Sequence, residues 1–210
     1  MTTRTLAVVS AGLSTPSSTR LLADRLTTAT VDALRQRGED ATVEHVELRE
    51  HARGLADHLV TGFPAGELEA ALDTVVGADG LIAVTPVFSA SYSGLFKTFF
   101  DVLDPDALSG RPVLMGATAG TARHSLVLEH AMRPLFAYLR AVVVPTGVFA
   151  AAEDWADGDG GALLPRVQRA AGELADLIAG LGRAGDGRAA RPADPFADFV
   201  PFDQLLGDQA

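Results

Sequence analysis

Apolar positions along the chain alternate between two periods. Residues 4 to 10, RTLAVVS, read as a buried strand, and from Ser17 the positions Leu22, Leu26, Ala29 and Ala33 recur at helical spacing as far as Arg37, where Gly38 supplies a stop. Residues 41 to 48, ATVEHVEL, are rich in β-branched side chains and predict a second strand, although their alternation is imperfect. Residues 49 to 65 are the least regular part and read as a long loop with room for one helical turn around Leu55 to Leu59. The pattern then tightens. Leu68, Ala71, Leu72, Val75 and Val76 lie on one helix face that ends before Gly77, and DGLIAVTPVF follows as a strand apolar on both sides. Leu95, Phe96, Phe99, Phe100 and Leu103 predict the next helix, RPVLMGATA the fourth strand, and residues 125 to 139 a fourth helix kinked at Pro134. AVVVPTGVFAA is the expected fifth strand; Leu164, Val167, Ala171, Leu174, Leu177, Ile178 and Leu181 mark a last helix.

A strand apolar on both faces belongs to a sheet covered by helices on both sides. Five βα units with short connections therefore predict an α/β fold of three layers, a flavodoxin-like five-stranded parallel sheet in the order 2-1-3-4-5. Residues 1–182 make up the expected domain. Beyond them GRAGDGRAARPADP reads as a linker, and FADFVPFDQLLG, with Phe196, Phe199, Phe202, Leu205 and Leu206, as a tail that either covers its own domain or docks on a second subunit or another protein.

Composition narrows the partners. A formal net charge of −10 argues against a broad footprint for nucleic acid or anionic lipid, so an anionic ligand must be held by a local set of donors. The sequence has 0 Cys, which excludes disulfides, thiolate metal sites and a cysteine nucleophile. His51 and His58, and His124 and His130, are not at the i, i+4 spacing of a helical metal pair, and no metal site is expected. No apolar run is long enough to span a membrane and the N-terminus lacks a signal-peptide pattern, so the expectation is a cytoplasmic protein.

In such a sheet, ligands sit beyond the carboxyl ends of the strands near the reversal of strand order, which falls between strands one and three. Three loops lie there. The first, from Ser10 to Thr19, has neither a G-x-x-x-x-G-K-[ST] phosphate loop nor a G-x-G-x-x-G turn, only hydroxyls (Ser10, Ser14, Ser17, Ser18, Thr19) running into a helix N-terminus. Those hydroxyls are either an ordinary helix cap or a cradle for an anion such as a phosphate monoester. The second, TPVFSASYSGLF, places Phe88 and Tyr92 in a loop, where they either pack beneath it or offer a face to a planar ring. The third, ATAGTARHS, sets Gly120 among small residues where backbone can approach a ligand, with Arg123 and His124 at its exit. Lys97, one turn into the following helix, reads as a solvated or paired surface residue. The loops hold no credible Ser-His-Asp set, and no catalytic side chain is assigned.

At these loops the sequence resembles the NAD(P)H-dependent FMN reductase family, whose first loop has the form G-S-x-S-x-x-S-x-T and whose second has the form P-x-Y-x-x-x-x-x-G-x-x-K. Here the first reads Ala11-Gly12-Leu13-Ser14-Thr15-Pro16-Ser17-Ser18-Thr19, and the second runs from Pro86 through Phe88 and Gly94 to Lys97. The similarity spans roughly residues 4 to 180 and is greatest to the actinobacterial-type branch with its C-terminal extension. It implies that Ser14, Ser17, Ser18 and Thr19, helped by Arg20, hold the FMN phosphate, that Pro86, Val87, Phe88 and Ser89 line the flavin, and that Thr118, Ala119 and Gly120 approach its ring. Three departures stand out: Ala11-Gly12 replaces the usual Gly-Ser pair, Ser18 stands where relatives often carry Arg, and Phe88 replaces Tyr. The resemblance implies hydride transfer from NAD(P)H to FMN and a homo-oligomer, dimer or tetramer, with residues 49 to 65 and 195 to 206 as suspected contacts. Loss of the Arg implies modest flavin affinity, which suits release of reduced FMN to a partner monooxygenase. A flavodoxin-type carrier and a quinone or azo reductase are the competing expectations.

Overall fold

The computed structural model describes residues 3–155 and 161–180. Strand β1 (Thr3–Ser10) is followed by helix α1 (Ser18–Gln36), and Gly38, at φ 77°, turns the chain out of the helix into β2 (Asp40–Glu47). Next come a 3-10 turn (Leu48–His51), α2 (Ala52–Thr61) and α3 (Glu67–Gly77), then β3 (Gly80–Phe88), the two-residue β4 (Ser91–Tyr92) and α4 (Gly94–Asp101). The chain continues through β5 (Pro112–Ala119), a 3-10 turn (Ala122–His124), a π-helical turn (Leu128–Met132), α5 (Arg133–Tyr138), β6 (Val142–Val143), β7 (Val148–Ala151) and α6 (Leu163–Gly180).

The sheet runs β2-β1-β3-β5-β6, all parallel, with β7 also pairing with β5. This is the expected strand order, with two additions. The fifth strand is split, because Val142–Val143 pair with Pro112–Val113 whereas Val148–Ala151 pair with Gly116–Ala119, two residues further along in register. Pro145 lies in the break and has no N–H to give to a ladder. The second addition is β4, which folds back antiparallel on the end of β3.

Side-chain alternation divides the core into two layers. Ala7, Val9, Leu81, Ala83, Val113 and Met115 face α2 to α5, where Phe96, Phe99, Phe100 and Phe136 fill the interior. Leu6, Val8, Ile82, Val84 and Leu114 face α1 and α6. Gly116 lets α1 approach β5, since a Cβ there would stand 3.2 Å from Leu26 Cδ1 and 3.1 Å from Val84 Cγ2.

Three expectations need correction. Residues 49 to 65 are not a long loop, since α2 occupies ten of them. The expected helix over 125 to 139 is a π-helical turn leading into a six-residue helix, and the change of pitch falls just before Pro134, whose ring nitrogen has no proton to donate. On α6, Leu164 is exposed, and the buried stripe runs instead through Leu163, Val167, Ala170, Ala171, Leu174, Ala175 and Ile178. Leu181, the linker and the tail with Phe196 to Leu206 lie outside the described residues.

Candidate functional site

The three loops meet at the carboxyl edge of the sheet. Ser10 is in register with Val84, and Pro86 with Thr118, so the ends of β1, β3 and β5 stand side by side. The Ala11 amide donates to the Val84 carbonyl at 3.0 Å, carrying the pairing one residue into the first loop. Below the surface the Thr19 and Thr118 hydroxyls are 2.9 Å apart, which links the start of α1 to the end of β5.

The first loop folds tightly onto the N-terminus of α1. Ser17 is the N-cap, in extended conformation, with its hydroxyl accepting from the Arg20 amide at 3.3 Å. The amides of Ser18 and Thr19, in the first turn, have no partner within the helix, so the positive end of a 19-residue helix opens here. Gly12 packs against this turn. A Cβ at that position would lie 2.1 Å from Ser17 Oγ, 3.0 Å from Ser17 Cβ and 3.3 Å from Thr19 Cβ, so only glycine allows the loop to lie this close. Ser14 and Ser18 are exposed and Ser17 half-buried, which leaves their hydroxyls accessible around the helix end.

Ser10 supplies an independent sign of polarity inside the turn. Its side chain is fully buried and its Oγ has no hydrogen-bond partner. By alternation with Leu6 and Val8 it faces the α1 side of the sheet, at the point where the loop crosses to the helix. A buried hydroxyl without a partner carries a cost of about 1–3 kcal/mol that a ligand oxygen or a water beneath the helix terminus would remove.

Two residues expected to hold the phosphate are engaged elsewhere. Arg20 donates from Nε to Asp24 Oδ1 at 2.7 Å and from Nη1 to Glu47 Oε1 at 2.7 Å. Burial opposes its charge, and the hydrogen bonds to Asp24 and Glu47 more than offset this, raising its pKa further above the ordinary range. Its guanidinium thus braces α1 against the end of β2. Thr19 is 2 % exposed and its hydroxyl is spent on Thr118, so it joins the first and third loops from within.

The second loop is a built hairpin. Val87 pairs with Tyr92 and Phe88 with Ser91, and Ser89 and Ala90 between them have φ of 49° and 67°. Positive φ at both central residues is the pattern of a type I′ turn, which Asn and Gly prefer. Thr85 holds the hairpin to the next helix, its hydroxyl accepting from the Ser93 amide at 3.0 Å and donating to the Pro86 carbonyl at 2.9 Å. Ser93 in turn caps α4, accepting from the Phe96 amide at 3.1 Å. The two aromatics have different roles here. Tyr92 tilts against Phe96 with ring centroids 5.8 Å apart, packing beneath the loop, whereas Phe88 is 47% exposed at the tip. Pro86 and Val87 are half-buried along the same edge and Ser89 is exposed. Lys97 forms an ion pair with Asp101 one turn on, as a surface lysine does.

On the third loop Thr118 is buried, Ala119 half-buried and Gly120 exposed, with nothing within 4 Å of the position a Gly120 Cβ would take. Arg123 and His124 are exposed. Sequence reasoning missed Arg49, which follows β2 and donates from Nη1 to the Thr15 hydroxyl of the first loop. The available signal was strand order, since a 2-1-3 arrangement puts the exit of β2 beside the loop after β1. Thr85 and Ser93 were missed too, because a single hydroxyl at a strand end carries no periodic signature.

The parallel sheet in the order β2-β1-β3-β5-β6, with a helix terminus bearing hydroxyls on one side of its carboxyl edge and an aromatic-tipped hairpin on the other, defines a flavodoxin-like α/β protein. Residues 4–156 match the NADPH-dependent FMN reductase family, and the chain belongs to that family. It is 38% identical over 149 residues to FMN reductase (NADPH) of Pseudomonas aeruginosa, covering 70% of this chain and 76% of that protein. To the NADH-dependent FMN reductase SfnE of Pseudomonas putida it is 42% identical over 135 residues, 63% of this chain and 73% of the other. Among solved structures, an oxidoreductase from Corynebacterium diphtheriae is similar with a TM-score of 0.83 and 53% identity, over 87% of this chain and 100% of that one. The family and fold expected from the sequence are both borne out.

Proposed function

We propose that the protein is an NAD(P)H-dependent FMN reductase whose phosphate grip is the turn from Ser10 to Ser18. The observation that carries this reading is the close packing of Gly12 on the α1 terminus, together with the unpartnered, buried Ser10 hydroxyl at the start of the same turn, a cradle that suits a phosphate monoester. In this reading the hydroxyls of Ser14, Ser17 and Ser18 and the amides of Ser18 and Thr19 hold the phosphate. Thr19 and Thr118 fix the two loops beneath it, and Arg20 positions α1 through Asp24 and Glu47. Pro86, Val87, Phe88 and Ser89 line one side of the ring, and Ala119 and Gly120 come to it from the third loop.

Bound FMN supplies the redox chemistry, accepting hydride from a nicotinamide. The chain's own residues bind, orient and exclude water, and no side chain at the site has to move a proton. The small side chains of Ser89, Ala90 and Ser91 leave room beside Phe88 for the nicotinamide. Residues 11 to 19 carry no cation and hold the phosphate through neutral donors alone, and delivery of reduced FMN to a flavin-dependent monooxygenase is the role proposed for this loop. Assembly as a homo-oligomer is part of the same proposal, supported by Leu59, Val60 and Phe63, which stand exposed at the end of α2. Among the described residues no helix is long and apolar enough to cross a membrane.

Titration of FMN by its fluorescence tests the grip. Ser17→Ala removes both the cap and one hydroxyl from the cradle, and a hydrogen bond to a charged oxygen is worth about 1.5–3 kcal/mol. The expected result is an affinity about tenfold weaker. Unchanged affinity in this variant would place the phosphate elsewhere.

A further inference from the structure

We infer that Arg49 is the cation of the phosphate site, reaching it from the segment after β2 and setting the preference for FMN over the unphosphorylated flavin. This rests on the FMN reading above and assigns a residue that lies outside the first loop.

The loop that wraps the α1 terminus contains no Lys or Arg from Ala11 to Thr19. The nearest cation in sequence, Arg20, is held by Asp24 and Glu47 and cannot turn to a ligand without breaking two ion pairs. Arg49 is placed differently. It is exposed, its guanidinium rests on the hydroxyl of Thr15 in the middle of the cradle, and among the described residues it pairs with no carboxylate. Its charge is therefore uncompensated next to a helix terminus that already favours an anion, two residues from the N-cap Ser17. The buried Ser10 hydroxyl, unpartnered on the α1 side of the sheet, points independently to a ligand oxygen at this turn. A guanidinium offers a planar fork of donors to phosphate oxygens, so Arg49 has only to exchange one neutral hydroxyl for a charged acceptor. Glu47 and Arg49, two residues apart at the end of β2, thus divide the work: Glu47 fixes Arg20, and Arg49 remains free for the phosphate.

The test compares FMN with riboflavin, which shares the ring and ribityl chain and lacks the phosphate. For Arg49→Ala, the FMN dissociation constant is expected to rise at least tenfold while that of riboflavin stays within about twofold. Arg49→Lys keeps the charge without the fork, and should fall between wild type and Arg49→Ala. Arg123→Ala, which removes the same charge from the third loop, should leave the FMN-to-riboflavin ratio unchanged. The thermal midpoint of Arg49→Ala should match wild type because the side chain is exposed.

Equal loss of both flavins, an unchanged FMN affinity, or an identical effect from Arg123→Ala would overturn the assignment. So would a rise in the KM for NADPH but not NADH with FMN affinity intact, since that result gives Arg49 to the 2′-phosphate of the nucleotide. Failure of the wild-type protein to bind FMN at all would overturn the parent reading as well, which distinguishes the two failures.

Discussion

Gly12→Ala is expected to weaken FMN binding by about two orders of magnitude while leaving the fold in place. The added methyl would meet Ser17 Oγ at 2.1 Å and Ser17 Cβ at 3.0 Å. Rotating the hydroxyl away relieves the first clash and gives up the N-cap, at about 1 kcal/mol. The second clash is with the carbon attached to the backbone, so the loop itself has to lift from the helix end. Lifting separates the hydroxyls of the loop from the amides of Ser18 and Thr19, and forfeits about two hydrogen bonds to a charged acceptor, roughly 3 kcal/mol together. The measurement is a flavin titration beside a thermal melt. A roughly hundredfold loss of FMN affinity is expected, with a loss of stability of about 1–2 kcal/mol. Full FMN affinity in Gly12→Ala would mean that the close packing of this loop has nothing to do with the ligand.

Phe96→Ala should have the largest effect on stability. Phe96 is fully buried at the centre of an aromatic group, with centroids 4.8 Å from Phe100, 6.3 Å from Phe136 and 5.8 Å from Tyr92. Truncation removes a large side chain from a packed interior and leaves a cavity between α4, α5 and the sheet, a change that costs about 3–5 kcal/mol. For a chain of this size that corresponds to a fall in Tm of very roughly 10 °C. The substitution also bears on the site, because Tyr92 is the hairpin residue that rests on Phe96. Chemical denaturation should show the reduced midpoint, and the riboflavin affinity should fall with it as the hairpin loses its support. A loss below about 1 kcal/mol would show that the aromatic group does not hold this half of the core.

How much of this was legible in the sequence depended on how much each segment buries. Strands β1, β3 and β5 are apolar on both faces, so their residues showed both the parallel sheet and its covering helices. Helix α2 was not legible because it buries only Leu55, leaving Leu59 and Val60 exposed, and one buried position makes no stripe. The split of the fifth strand at Pro145 and the π-helical turn before Pro134 were hidden for a related reason. Each inserts residues that shift the register, and hydrophobic spacing reports period but not slippage. At the site, Ser17 and the loop compositions were readable because capping and turn chemistry are local. The partners of Arg20 and the approach of Arg49 to Thr15 were not, since ion pairing between a helix and the end of a neighbouring strand leaves no trace in spacing. The role of Gly12 likewise needed the structure, because its φ is unexceptional and only the proximity of Ser17 excludes a side chain.

The measurement that tests the central claim most directly is anaerobic mixing of the protein, loaded with one equivalent of FMN, with NADH and separately with NADPH, following the bleaching of flavin absorbance. If the site serves hydride transfer, bleaching with at least one nucleotide is much faster than for free FMN and saturates as nucleotide concentration rises. If FMN binds but bleaches with either nucleotide no faster than it does in free solution, the protein is a flavin carrier and the reductase reading is contradicted.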